Sequence, residues 1–255
     1  MIEDLKGKRI LVTREESQAK IFAEKITRHG GRPIVTPLIK ISCDKSWQSS
    51  TIVDRIEQAE WLFFTSANGV RCFFKSIGTS ARLRDLLEQK RFAVVGEKTK
   101  KALEAHRFSV DFLPTRYDAK TMAKEFSESY PGERNLLLIR GNLSRKVLPE
   151  ALGNKGYRLD TLTVYRTEPN EGIRGKLQEV MEEPLDFITF TSPSTVDAYV
   201  DFLGEGGSAK GVFVCIGATT EAQALKYGLQ PVIRPDIFTI DEMIRLMALH
   251  IEKEG

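Results

Sequence analysis

Trp61-Leu62-Phe63-Phe64-Thr65-Ser66-Ala67-Asn68-Gly69-Val70 is answered 126 residues later by Phe187-Ile188-Thr189-Phe190-Thr191-Ser192-Pro193-Ser194-Thr195-Val196. Each begins as a short apolar run of the kind expected of a strand buried on both faces, then passes through Thr-Ser into a pattern of helical period. Working outward, Arg9-Ile10-Leu11-Val12-Thr13-Arg14 and a helical stretch to His29-Gly30-Gly31 are matched by Asn135-Leu136-Leu137-Leu138-Ile139-Arg140 and a stretch to Lys155-Gly156, with Arg14 and Arg140 again 126 apart. A third pair, Phe92-Ala93-Val94-Val95-Gly96-Glu97-Lys98-Thr99 and Phe213-Val214-Cys215-Ile216-Gly217-Ala218-Thr219-Thr220, steps by 121. Self-similarity at a fixed offset is the mark of an internal repeat. Strands alternating with helices predict an α/β protein of two doubly wound, flavodoxin-like parallel-sheet domains, with Gly30 and Gly156 as helix stops.

The 255 residues, 41% hydrophobic and 29% charged, suffice for one large or two small globular domains. A net charge of +3 without a long basic run gives no reason to expect a nucleic-acid partner. Cys43, Cys72 and Cys215 are far apart and outside any CxxC pattern, so they read as reduced thiols with no zinc site. Residues 1–6 lack the pattern of a signal peptide, and no apolar run approaches the ~20 residues that span a bilayer, so the expectation is a cytoplasmic protein without membrane contact.

In open α/β sheets ligands gather beyond the carboxyl ends of the strands, where helix N-termini offer unpaired N–H groups. The six repeated turns supply small or hydroxyl residues there: Thr13, Thr65, Ser66, Gly96, Thr99, Gly141, Asn142, Ser192, Ser194, Gly217 and Thr220. Such a lining suits carboxylates, although Ser and Thr at these places also serve as helix caps, and Pro193 fits a first helical position behind a Ser192 cap. His29, His106 and His250 have no metal-ligand spacing; GxxxxGK[ST], GxGxxG and GxSxG are missing. The expectation is therefore no metal and no cofactor, with binding and orientation carrying any catalysis.

The paired Phe-Thr-Ser turns, Val95-Gly96, Ile139-Arg140-Gly141-Asn142, Leu162-Thr163-Val164-Tyr165-Arg166-Thr167 and Ile216-Gly217-Ala218-Thr219-Thr220 together resemble the uroporphyrinogen-III synthase family across nearly the whole chain. The resemblance implies a chain that starts in one domain, crosses to build a second and returns. Residues 1–37 would join 168–255, residues 41–162 would form the inserted domain, and two crossing strands near 37–41 and 163–167 would form a hinge beside a substrate cleft. It also implies a monomeric, cofactor-free lyase of haem and porphyrin biosynthesis. That enzyme cyclises the linear tetrapyrrole hydroxymethylbilane to uroporphyrinogen III, losing water and inverting ring D through a spiro intermediate. Tyr165 matches the family's VY tyrosine, proposed there to assist departure of the hydroxyl; Ser66, Thr99, Thr219 and Thr220 carry over as substrate-binding positions through their turns, and Arg14 and Arg140 as carboxylate partners. Asn68 departs from the basic residue some members carry after the Phe-Thr-Ser turn. The strongest rival reading is a non-catalytic binding or regulatory protein, since solute-binding proteins are likewise two α/β lobes joined by crossovers, and a third is a nucleotide-dependent α/β enzyme.

Overall fold

Short apolar runs whose alternate residues must face opposite ways can be buried only between two helical layers. The structure, a computed structural model, describes residues 4–44, 50–78, 80–204 and 211–254 and realises that solution twice. The first half of the chain runs β1 (Arg9–Val12), α1 (Glu16–Arg28), β2 (Arg32–Val35), β3 (Ile39–Cys43), α2 (Ser50–Gln58), β4 (Trp61–Phe64), α3 (Ala67–Ile77), α4 (Ala81–Glu88), β5 (Arg91–Val94) and α5 (Glu97–Glu104). It continues α6 (Ala119–Ser129), β6 (Asn135–Gly141), α7 (Val147–Gly153), β7 (Arg158–Pro169), α8 (Arg174–Met181), β8 (Phe187–Phe190), α9 (Pro193–Leu203), β9 (Val212–Cys215), α10 (Ala218–Lys226), β10 (Val232–Ile233) and α11 (Ile240–Glu254).

Two compact units result, one of Met1–Lys40 with Glu168–Gly255 and one of Ile41–Thr167. The chain passes from one to the other within β3 and within β7.

The first unit holds a parallel sheet in the order β10-β9-β8-β1-β2. Ile10, Val12, Phe187 and Val214 pack with Phe22 of α1 and Met243, Ile244 and Met247 of α11. Leu11, Ile188, Phe190, Phe213 and Cys215 turn the other way, onto Leu177 of α8, Tyr199 of α9 and Ala224 of α10.

The second unit's sheet has the order β3-β7-β6-β4-β5. Leu62, Phe64, Val94, Leu137 and Ile139 meet α2, α3 and α5 on one face, while Trp61, Phe63, Leu136 and Leu138 meet Met122 and Phe126 of α6 and Leu148 of α7 on the other. Burying each such aromatic or leucine stabilises the unit by roughly 1.5–3 kcal/mol. Strands β4 to β7 are parallel, but the sheet is mixed, which corrects the expectation of two purely parallel sheets. The added strand is β3, which belongs to neither copy of the repeat and pairs with the β7 edge, Asp44 donating its N–H to the Val164 carbonyl at 2.8 Å.

A second correction concerns the cysteines. Cys43 of β3 and Cys72 of α3 form a disulfide with Cα atoms 5.1 Å apart, and only Cys215 is a free thiol. Burial pushes the Cys215 pKa up to about 12, with Glu221 adding to it, so this thiol is unreactive.

Candidate active site

Parallel register brings the turns together. In the second unit Phe64 pairs with both Val94 and Ile139, so Thr65-Ser66, Val95-Gly96 and Arg140-Gly141-Asn142 leave the sheet at one edge. Between Arg140 and Gly141 the β6–β7 register shifts, and Gly141 pairs with Tyr165. A Cβ on Gly141 would lie 2.3 Å from Tyr165 Cζ and 2.7 Å from its hydroxyl, so glycine is required here for the close approach of the ring. The Tyr165 hydroxyl stands 3.1 Å from Ser66 Oγ, which also accepts the Gly69 N–H at 3.0 Å and so caps α3. One hydroxyl thus fixes both a helix start and the phenol.

The chain leaving the bulge is equally tied. Asn142 takes the Thr167 N–H on its Oδ1 at 2.8 Å, and its own N–H reaches the Tyr165 carbonyl at 3.1 Å. Arg140 donates to the carbonyls of Ser144 and Gly141, and Ser144 Oγ accepts the Gly141 N–H at 3.1 Å. The Arg140 guanidinium therefore braces its own turn. Ser144, which sequence reading missed, is the brace's other half; nothing in the repeat marks it. Thr65 is half-buried beside Ser66, and Asn68 accepts from Arg71 one turn on.

Helix α5 starts differently. Gly96 is its N-cap and offers no side chain, while Thr99 is buried in the first turn with its N–H bonded to the Gly96 carbonyl at 2.9 Å. The remaining amides of that turn meet no side-chain cap, which leaves donors for an anion.

In the first unit Val12 pairs with Thr189 and Thr189 with Val214, so the turns after β1, β8 and β9 share an edge. Thr13 is fully buried and its hydroxyl donates to the Thr189 carbonyl at 2.6 Å. Its hydroxyl serves the sheet and its carbonyl accepts the Leu38 N–H at 3.0 Å, so neither is left for the ligand role expected of it. Ser192 sits at the N-cap of α9 with Pro193 behind it, but its hydroxyl bonds Ser194 Oγ at 2.9 Å and caps no N–H. Gly217 opens α10 without a side-chain cap, Thr219 is exposed and Thr220 buried. Arg14 is half-buried; burial lowers its pKa, with Glu15 opposing, and no hydrogen bond or ion pair to it is seen among the described residues. A desolvated guanidinium of this kind favours a carboxylate partner. Among the described residues no three His, Cys, Asp or Glu side chains come together as metal ligands.

A family model for uroporphyrinogen-III synthase HemD matches residues 20–245. The chain belongs to the uroporphyrinogen-III synthase family. A uroporphyrinogen-III synthase of Chlorobaculum parvum is 31% identical, over 91% of this chain and 94% of that protein. The porphyrin biosynthesis protein HemD of Ruminiclostridium josui is 27% identical over 96% of this chain, which spans 49% of that longer protein. The uroporphyrinogen-III synthetase of Helicobacter pylori, 18% identical, superposes with a TM-score of 0.67 over 96% of this chain and 99% of its own, and so shares the fold.

Proposed function

We propose that this chain is a uroporphyrinogen-III synthase that closes hydroxymethylbilane, a small-molecule linear tetrapyrrole, into uroporphyrinogen III without a cofactor. The observation that carries the reading, beside family membership, is the Tyr165 phenol held at 3.1 Å from Ser66 over the glycine floor of Gly141. A phenol O–H can donate a hydrogen bond or a proton to a leaving hydroxyl. The carbon–oxygen bond breaks, the hydroxyl departs as water, and the proton returns as the attacked pyrrole regains aromaticity. The rest of the task is orientation: the chain ends are held so that the substituted α-carbon of ring D bonds to the methylene freed by water loss, the older bond from that carbon to the ring C methylene breaks, and the ring C methylene re-bonds at the free α-carbon of ring D, which inverts the ring.

Carboxylates would meet the uncapped amides that open α5, α9 and α10, and Arg14, which has no hydrogen-bond or ion-pair partner among the described residues. The order β2-β1-β8-β9-β10 supports a flavodoxin-like first domain, and the run β5-β4-β6-β7 follows the same pattern in the second. On this reading residues 1–37 and 168–255 form one domain, 41–162 the other, and the crossing strands the hinge of a monomeric cytoplasmic enzyme. The test supplies freshly generated hydroxymethylbilane to the purified protein without additives, oxidises the products and separates type I from type III uroporphyrin. Type III above the enzyme-free control is expected; type I alone, at the spontaneous rate, refutes the activity. With Tyr165→Phe, type III formation should fall by roughly 10²–10⁴-fold while tetrapyrrole binding persists.

A further inference from the structure

Tyr117 and Phe238 are 59% and 57% exposed, although a large aromatic ring gains most from burial. Single exposed hydrophobic residues need no explanation, but these two occupy equivalent places. Gly96 to Gly217 and Tyr117 to Phe238 both step by 121 residues, the offset that also relates Thr99 to Thr220. In each copy the ring lies against the glycine that opens a helix. A Cβ on Gly96 would stand 3.2 Å from Tyr117 Cγ, and one on Gly217 would stand 3.3 Å from Phe238 Cγ.

Backbone geometry does not demand these glycines. Their φ values of −175° and −164° are extended conformations open to any residue, so what the missing side chain provides is room for the ring. The residue after each ring is held at the start of a hydrogen-bonded turn. Asp118 caps α6 through the Lys120 and Thr121 N–H groups at 2.9 Å, Thr239 Oγ1 accepts the Glu242 N–H at 3.2 Å, and Arg234 lies 5.8 Å from the Phe238 ring centroid. Both copies thus hold a flat apolar face, left open to solvent, against the first turn of a helix that has no side-chain cap. A ligand that fits such a pairing is a flat ring carrying anionic arms.

Resting on the function proposed above, we propose that Tyr117 and Phe238 are each a platform on which a pyrrole ring of the substrate stacks, with a carboxylate of that ring meeting the amides that open the adjacent helix, α5 beside Tyr117 or α10 beside Phe238. The test measures kcat and KM for type III formation, and the rise in Tm given by uroporphyrinogen III, in the wild type and in Tyr117→Ala, Tyr117→Leu, Tyr117→Phe, Phe238→Ala and Phe238→Leu. Loss of a ring should raise KM roughly 3–10-fold with little change in kcat. The leucine variants, which keep bulk and fold, should share that rise, whereas Tyr117→Phe should keep the wild-type KM. Unchanged KM and an unchanged ligand-induced Tm rise in the alanine and leucine variants overturn the proposal. Wild-type turnover decides the activity separately: were type III not formed, the platforms would stand or fall on whether uroporphyrinogen III raises the wild-type Tm and the alanine and leucine variants lose that rise.

Discussion

Replacing Gly141 with alanine puts one methyl group into a space already filled by Tyr165. The added Cβ would lie 2.3 Å from Cζ, 2.5 Å from Cε2 and 2.7 Å from the hydroxyl oxygen, distances at which something must move. The ring cannot simply lean away, because its hydroxyl is held by Ser66 and its neighbours on β7 pair along β6. Overpacking of this kind costs about 1–3 kcal/mol, several degrees in Tm for a chain of this length. Type III formation should fall further than the stability does, since the displaced phenol loses its position. Thermal melting and the product assay are run on Gly141→Ala, Tyr165→Ala and the double variant. Removing the ring should relieve the clash, so the double variant should melt no lower than Tyr165→Ala while remaining as inactive. If Gly141→Ala kept wild-type Tm and activity, or if the double variant melted lower by the sum of the two single losses, the contact between Gly141 and Tyr165 would not be what fixes the phenol.

Three further outcomes are expected. Arg14→Met should raise KM for the tetrapyrrole several-fold with kcat nearly intact, because a half-buried guanidinium with no hydrogen-bond or ion-pair partner among the described residues is available to a ligand; unchanged KM excludes that role. Denatured, unreduced protein should take up one alkyl group per chain and reduced protein three, and reduction should lower Tm, since closing a loop with a sequence separation of 29 stabilises by about 3–4 kcal/mol; three groups without reduction would mean free thiols. Asp160 is held below the ordinary carboxylate value chiefly by the Arg55 hydrogen bond, 2.6 Å from Nη2 to Oδ1, with burial opposing. A depressed folded pKa gives stability that is present above the unfolded value and lost as pH falls through the folded one. The Tm gap between wild type and Arg55→Met should therefore shrink as pH drops below about 4, and a gap that holds or widens on acidification refutes the linkage.

What was legible in the sequence was whatever repeats. Leu62 and Phe64 facing one helical layer, Trp61 and Phe63 the other, is the burial pattern that an unbroken apolar run between turn residues implies. Strand β3 left no such signal: it occurs once, and its place beside β7 depends on where the chain crosses between units. The disulfide was hidden for the same reason, since Cys43 lies on that strand and meets Cys72 only once β3 has taken its edge position. Thr13 misled because residue type cannot tell a hydroxyl offered to a ligand from one donated to the next strand's carbonyl.

The same ambiguity separates the two serines that decided the fold. Ser66 and Ser192 occupy equivalent positions after equivalent strands, yet Ser66 caps α3 and holds Tyr165, whereas Ser192 turns to Ser194 and leaves α9 without a side-chain cap. Proline explains part of the difference: at the first helical position Pro193 fixes φ and carries no N–H, so one orphan donor is gone before a cap is needed. In the second unit Ala67 stands where Pro193 does and keeps its N–H, and the Gly69 amide fixes the serine hydroxyl in the orientation that meets the phenol. One duplicated turn has thus become a clamp for a single side chain, and its twin has kept amides free of any side-chain cap. A Ser192→Ala change should accordingly leave Tm nearly unaltered, while Ser66→Ala should cost the unit about 1 kcal/mol from the cap alone and release Tyr165 as well.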